Sequence, residues 1–209
     1  MSSSSGKPAS DSRLQILHAA AGCFMERGFH ATSIDHVAHR LGATKGIVYH
    51  HYQSKMDLFF DVYRVGMTAL LSAVSVARQG PGRGLASVRA MLEAHAMAMF
   101  EFHAFENVVA QGVQLHRFSA MTPSQRESFD ELVASRDRLE QMYKEEVEMA
   151  QSAGTVRADL DVSIAVKTIL GGVHWSVIWW RPEADEGLQA RHQLAQKMVD
   201  VLLHGLEPR

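Results

Sequence analysis

The stretch from Ile34 to Tyr52 constrains this chain more than any other. Ile34, Val37, Ala38 and Leu41 recur at i, i+3, i+4 and i+7, so they line one face of a short helix. Thr32 or Ser33 can cap its start, and Gly42 ends it. Thr44 stands where a third, very short helix through Tyr52 needs its cap. Helix, tight turn with a glycine, helix: this is the spacing of a helix-turn-helix.

The surrounding sequence reads as more helix. Residues 1–11 are polar and Ser-rich, as in a mobile tail. From Leu14 an amphipathic row runs through Leu17, Ala21 and Phe24 and stops at Gly28. A long helix spans Lys55–Arg78, and "QGPGRG" (79–84) is the clearest breaker. Helical spacing resumes over Leu85–Phe102 and continues to Arg117. In "TPSQ", Thr122 suits an N-cap, Pro123 the first helical residue and Gln125 the capping-box partner of a helix reaching Gly154. Asp161 begins a helix that Pro182 ends at Arg181, and a last one covers Asp185–His204. No segment alternates like a strand. The expected fold is all-α, with a tail (1–11), a three-helix helix-turn-helix domain (12–54) and a helical ligand-binding and dimerisation domain (55–207) whose first helix, 55–78, is the connector.

Placed on a wheel, the third helix turns Ile47, Val48, His51 and Tyr52 one way and Lys45, Gly46, Tyr49 and His50 the other. The second set is a flat cluster of donors. Lys45 brings charge, Tyr49 and His50 can donate to phosphate or base edges, and Gly46 leaves room for a backbone to approach a groove. Thr32, Ser33 and Lys55 flank the unit at helix starts, where phosphate is favoured. Lysines, histidines and tyrosines on a short helix also make an ordinary solvated face. The net charge of −2 points to no nucleic acid, although residues 1–60 hold six Lys+Arg against four Asp+Glu and six of the twelve histidines.

The segment "ILHAAAGCFMERGFHATSIDHVAHRLGATKGIVYHHYQSKMDLF" (16–59) resembles the DNA-binding domain of the TetR/AcrR family of bacterial regulators. The matching residues are Ala19–Ala20, Phe24, Gly28–Phe29, Thr32–Ser33, Ile34, Val37, Ala38, Gly42, Lys45–Gly46, Tyr49, His51–Tyr52, Lys55 and Leu58. Tyr52 stands where phenylalanine is commoner, and Ile47–Val48 where Thr-Leu or Ser-Leu is frequent. The resemblance implies DNA contacts at Thr32, Lys45, Tyr49, His50 or His51, and Lys55. With the flanking and cap positions, the candidate DNA-binding set is Thr32, Ser33, Thr44, Lys45, Gly46, Tyr49, His50, His51 and Lys55. The expected partner is a double-stranded operator.

The family also implies a C-terminal part that binds a small effector and forms a homodimer. Residues 155–182 resemble a subset whose Arg-x-Asp-Leu-Asp segment leads into Trp-x-x-x-Trp-x-Arg-Pro, several members of which sense acyl-CoA thioesters or other hydrophobic acids; here His174 replaces a common asparagine. Met99, Phe102, His103, Gln111, His174 and Ile178 are the expected ligand-binding residues. Trp175 and Trp179, an i, i+4 pair, with Leu194, Met198 and Val201, are the expected dimer interface. Gly171 and Gly172 inside a helix call for close approach by another helix.

Other readings carry less. His95, His103, Glu106 and His116 lack the spacing of one metal site, and Cys23, the single cysteine, lies on an inward row. A metal- or redox-responsive regulator is therefore the alternative. A helical enzyme is remote, since the chain has no GxSxG, P-loop or HExxH. No cofactor is implied. The run 169–180 is too short to span a bilayer, and a cytoplasmic protein without a membrane part is expected.

Overall fold

Local signals start and stop the helices. The computed structural model describes residues 9–115, 121–181, 187–204 and 206. In it lie α1 (Ala9–Ala31), α2 (Ile34–Leu41), α3 (Lys45–His51), α4 (Lys55–Arg78), α5 (Leu85–Glu101), α6 (His103–Leu115), α7 (Pro123–Ser152), α8 (Val162–His174), α9 (Ser176–Trp179) and α10 (Leu188–His204), with no strand among the described residues. Helix α1 starts at Ala9, inside the stretch read as tail, and is broken by Gly28 at φ 75°. Ser33, not Thr32, caps α2 and shares a capping box with His36. Gly42 closes α2 in the left-handed region at φ 69°, and its N–H bonds the carbonyl of His39. Thr122 and Gln125 exchange the expected capping-box bonds, and Asp161 caps α8 through Ile164 N–H at 2.9 Å.

The helix expected over 161–181 is interrupted at Trp175, where α8 gives way to the single turn of α9, and its backbone is extended from Trp180. By length and composition Lys55–Arg78 and Val162–Trp179 could each cross a bilayer, a longer apolar run than 169–180. Both instead bury residues in the core, among them Leu58, Phe59 and Leu70 of the first and Val166, Ile169 and Val173 of the second. Pro182, Asp185, His116 and Arg117 lie outside the described residues.

The chain divides into two compact units: residues 1–66 with 104–130, and 67–103 with 131–209. This differs from a division at 54/55. The first unit takes in α6 because Phe105 sets its ring edge-on to His18 at 5.0 Å and Gln111 donates to the Phe24 carbonyl at 2.9 Å. Ile16, Ala20, Phe24, Val37, Val48, Leu58 and Phe59 fill its core.

Tyr52, at the end of α3, explains its departure from phenylalanine. Its hydroxyl donates to Asp61 Oδ2 at 2.9 Å and receives Arg13 Nε at 3.3 Å. The buried Asp61 carboxylate is bonded as well by Arg13 Nη2 and Arg64 Nη1. One carboxylate thus ties α1, α3 and α4 together, and burial pushes the Tyr52 phenol up to about 12. Asp61→Ala removes the acceptor shared by Tyr52, Arg13 and Arg64 and is expected to cost about 1–3 kcal/mol. Urea unfolding checks this; a midpoint unchanged from wild type would remove the tie as a source of stability.

In the second unit Val74, Val88, Met91, Leu92, Tyr143, Val147, Val166 and Val199 are fully buried. Arg78 bonds Glu145 and Glu146, and Glu146 also accepts the N–H of Gly84 at 3.0 Å, fixing the 79–84 breaker onto α7. Gly172 answers the expected close approach: a Cβ there would lie 2.5 Å from Leu202 Cδ2 of α10. Gly171 does not, since nothing lies within 4 Å of its Cβ position.

Candidate nucleic-acid interface

The inward direction of α3 is set by Val48 and Tyr52, both buried. At about 100° per residue, His50 then points outward, with Gly46 and Tyr49 to one side and Ile47 and His51 to the other. Tyr49, His50, Lys45, Gly46 and Thr44 are exposed, and His51 is half-buried with its ring 5.2 Å from that of His50. Ile47 corrects the wheel. It is 42% exposed and belongs to the outward arc, not to the core-facing side. The face is therefore not free of apolar groups.

Thr44 occupies the N-cap position but makes no capping bond with its side chain. Lys45 Nζ stands 3.8 Å from Asp35, both side chains largely exposed, an arrangement worth little in water. Gly46 is the unusual member. Its backbone is not in the left-handed region, and a Cβ would meet only Thr44 Oγ1, at 3.7 Å. Nothing inside the protein requires a glycine there, although glycine weakens a helix by about 0.5–1 kcal/mol relative to alanine.

Two of the flanking candidates face inward. Thr32 is 2% exposed; its N–H bonds Gly28 O, and its hydroxyl is shared between Gly28 O at 2.8 Å and Cys23 O at 3.1 Å. Lys55 turns its ammonium to the carbonyls of Phe29 and Thr32, each at 2.7 Å, and of His30 at 3.3 Å. It also lies 4.4 Å from the Phe29 ring centroid, and burial lowers its pKa. Both side chains fasten the end of α1. Ser33 keeps a half-exposed hydroxyl that accepts His36 N–H at 3.2 Å.

The expected ligand residues have different surroundings. Gln111 belongs to the first unit, and its amide is satisfied by Phe24 O and Asn107 Oδ1. Met99 is sealed in the core of the second unit, whereas Ile178 is exposed on its surface. Phe102 and His103 are half-buried, and His103 Nε2 sits 3.2 Å from Val177 O with its ring edge-on to Trp180 at 5.1 Å. His174 faces His95, Nε2 to Nε2 at 3.1 Å, and His95 Nδ1 reaches Tyr143 Oη at 3.3 Å. Burial lowers both imidazoles, His174 to about 4, so at neutral pH one shared N–H joins two neutral rings. Sequence reasoning missed His95 and Tyr143 as partners; both lie on inward rows. A cavity of about 520 Å³ lies elsewhere in this unit, lined by Ser75, Arg78, Gln79, Arg83, Met142, Glu146 and Met149.

Of the residues expected at a dimer interface, Trp175, Trp179 and Val201 are exposed, Trp175 to 63% and Val201 to 77%. Leu194 and Met198 are half-buried. Ile164, Ile178 and Leu188 add further exposed apolar surface to the same unit. Ile164, Thr168, Gly171, Trp175 and Ile178 repeat at helical spacing, and all five are exposed.

A helix-turn-helix whose second helix is exposed and bears donors, in a chain with a second helical unit, is the arrangement of a DNA-binding regulator. Residues 16–62 match the model for bacterial regulatory proteins of the tetR family, and residues 85–206 match the tetracyclin repressor-like C-terminal domain. The chain belongs to the TetR family of bacterial transcriptional regulators. It is 27% identical over 203 residues to the HTH-type transcriptional repressor KstR2 of Rhodococcus jostii, covering 97% of this chain and 93% of that one. The crystal structure of the TetR-family regulator PfmR from Thermus thermophilus is similar with a TM-score of 0.76 at 28% identity, over 92% of this chain and 99% of that one. AibR, solved in complex with isovaleryl coenzyme A and operator DNA, is similar with a TM-score of 0.71 at 26% identity, over 91% and 97%.

Proposed function

We propose that the chain is a dimeric, effector-responsive transcriptional repressor, acting in the cytoplasm without a cofactor or a membrane part. Each protomer sets the outward arc of α3, with Gly46, Tyr49, His50 and His51, and the exposed start of the helix, with Thr44 and Lys45, into a DNA major groove. The observation that carries this reading is Gly46, a helical glycine that no internal contact requires, on the arc where DNA backbone and base edges would lie closest. Ser33 adds its hydroxyl beside a phosphate, whereas Thr32 and Lys55 hold the frame. The exposed ridge of Ile164, Gly171, Trp175 and Ile178, with Trp179, Leu194, Met198 and Val201, is the surface that a second copy covers. Gly171 lets the partner helix approach, which supplies the missing reason for that glycine. Half-sites then fall about 34 Å apart, one helical turn, or a multiple of it.

The effector is a small hydrophobic acid carried as a coenzyme A thioester. Two observations support this: the similarity to AibR and the soft, aromatic surroundings of His103, Phe102 and Trp180. Helix α4 contributes residues to both units and is the element through which binding in one biases the other. A differential affinity of about 2–3 kcal/mol gives a coupling of roughly 30–150-fold. The test begins with a duplex that the wild-type chain selects from a random-sequence library. Fluorescence anisotropy is expected to give two protomers per duplex and a steep fall in affinity with salt. Lys45→Ala weakens binding and flattens that slope by about two counterions, one for each protomer, and isovaleryl-CoA releases the duplex. A chain that selects nothing removes the repressor reading; one that selects a duplex but ignores acyl-CoAs removes only the effector class.

A further inference from the structure

We propose that Ile47 is a specificity-determining residue that reads the 5-methyl group of a thymine in the operator. The inference rests on α3 entering a major groove. Ile47 and Val48 are the aliphatic side chains of α3; Val48 is fully buried, and Ile47 is exposed on the outward arc. On the helix it sits one turn beyond Thr44 and one turn before His50 and His51, polar side chains that are exposed or half-buried.

Single exposed aliphatic residues are common on protein surfaces and by themselves mean little. Position decides here. The floor of a major groove is a row of hydrogen-bond donors and acceptors, and the methyl of thymine is its one apolar group. An isoleucine pressed against any other base edge would strip water from a polar group and return no hydrogen bond. Its branched Cβ also restricts χ1, so the side chain presents a fixed shape instead of moving aside. The adjacent Gly46 adds no side chain to hold the helix off, and Tyr49 and Lys45 stand on the side of the helix away from Ile47, where phosphates would lie. Ile47 therefore both attracts thymine and rejects cytosine or guanine at one position of each half-site.

The experiment uses the duplex selected by the wild-type chain. Each thymine is replaced, symmetrically in both half-sites, by deoxyuridine, which deletes the methyl and nothing else. At one position affinity is expected to fall roughly tenfold, the sum of one lost methyl contact in each half-site. Ile47→Ala is expected to bind the parent duplex with a similar loss and to be indifferent to deoxyuridine at that position. Thermal unfolding checks that the variant is folded, and the wild-type measurements stand without it. A selected half-site without thymine, no sensitive position, or a sensitivity that persists in Ile47→Ala would each overturn the assignment. A chain that selects no duplex removes the groove reading and Ile47 with it; a chain that selects one but does not sense the methyl removes Ile47 alone.

Discussion

Gly46→Ala is expected to make the protein slightly more stable and to weaken operator binding more than about tenfold. The two effects have separate causes. In the free protein the added methyl meets only Thr44 Oγ1, at 3.7 Å, an ordinary contact, and the backbone needs no left-handed conformation. Alanine in a helix is then favoured over glycine by about 0.5–1 kcal/mol. Against DNA the same methyl stands on the outward arc between Tyr49 and His50, where the helix approaches the groove most closely. A displacement of one methyl radius lengthens every donor contact on that face together, so a loss of more than about tenfold in affinity follows, equivalent to at least ~1.4 kcal/mol. Thermal melts and anisotropy on the selected duplex read the two quantities. Gly42→Ala is the informative contrast: its φ of 69° strains any side chain, so that variant loses stability. If Gly46→Ala bound DNA as well as wild type, α3 would not lie close in the groove.

Where a helix begins and ends depends on a few neighbouring residues, and those are legible. The bounds Lys55–Arg78, the Thr122–Gln125 capping box, the Asp161 cap and the left-handed Gly42 all follow from local patterns. The side on which Ile47 falls is not, because seven residues define a wheel's phase only loosely. It is fixed by Tyr52, whose phenol is drawn to Asp61 and Arg13, residues well separated from it in the chain. With Tyr52 held inward, Val48 one turn before it is buried and Ile47 is exposed. Lys55 shows the same limit: its sequence position suits a phosphate, and no local pattern announces the carbonyls of Phe29, His30 and Thr32 that its ammonium bonds. The pairing of His95 with His174 spans 79 residues and has no local signature. Nor does the membership of α6 in the first unit, which rests on side-chain contacts with α1.

Glu106 leads to the largest stability change expected of any single substitution here. On α6 it is 1% exposed, and neither carboxyl oxygen has a hydrogen-bond partner among the described residues. Beside it is Gly66 of α4, whose Cβ position lies 3.3 Å from Oε1 and also close to Val109 and Phe105, both buried on α6. Burial alone raises its pKa from 4.5 to about 8. At pH 7 the native protein keeps a proton that the unfolded chain has released. Between those two values stability therefore falls as pH rises, by about 1.4 kcal/mol per unit, and amounts to a loss on the order of 3 kcal/mol at pH 7 relative to pH 4. Above pH 8 the carboxylate is charged in both states, and the penalty is complete. Glu106→Gln keeps the shape and removes the charge. It is expected to unfold at markedly higher urea than wild type at pH 8 and at nearly the same urea at pH 4.5. Parallel pH–stability curves for the two proteins would mean that Glu106 finds a partner in solution, and the buried, uncharged carboxyl would have to be abandoned.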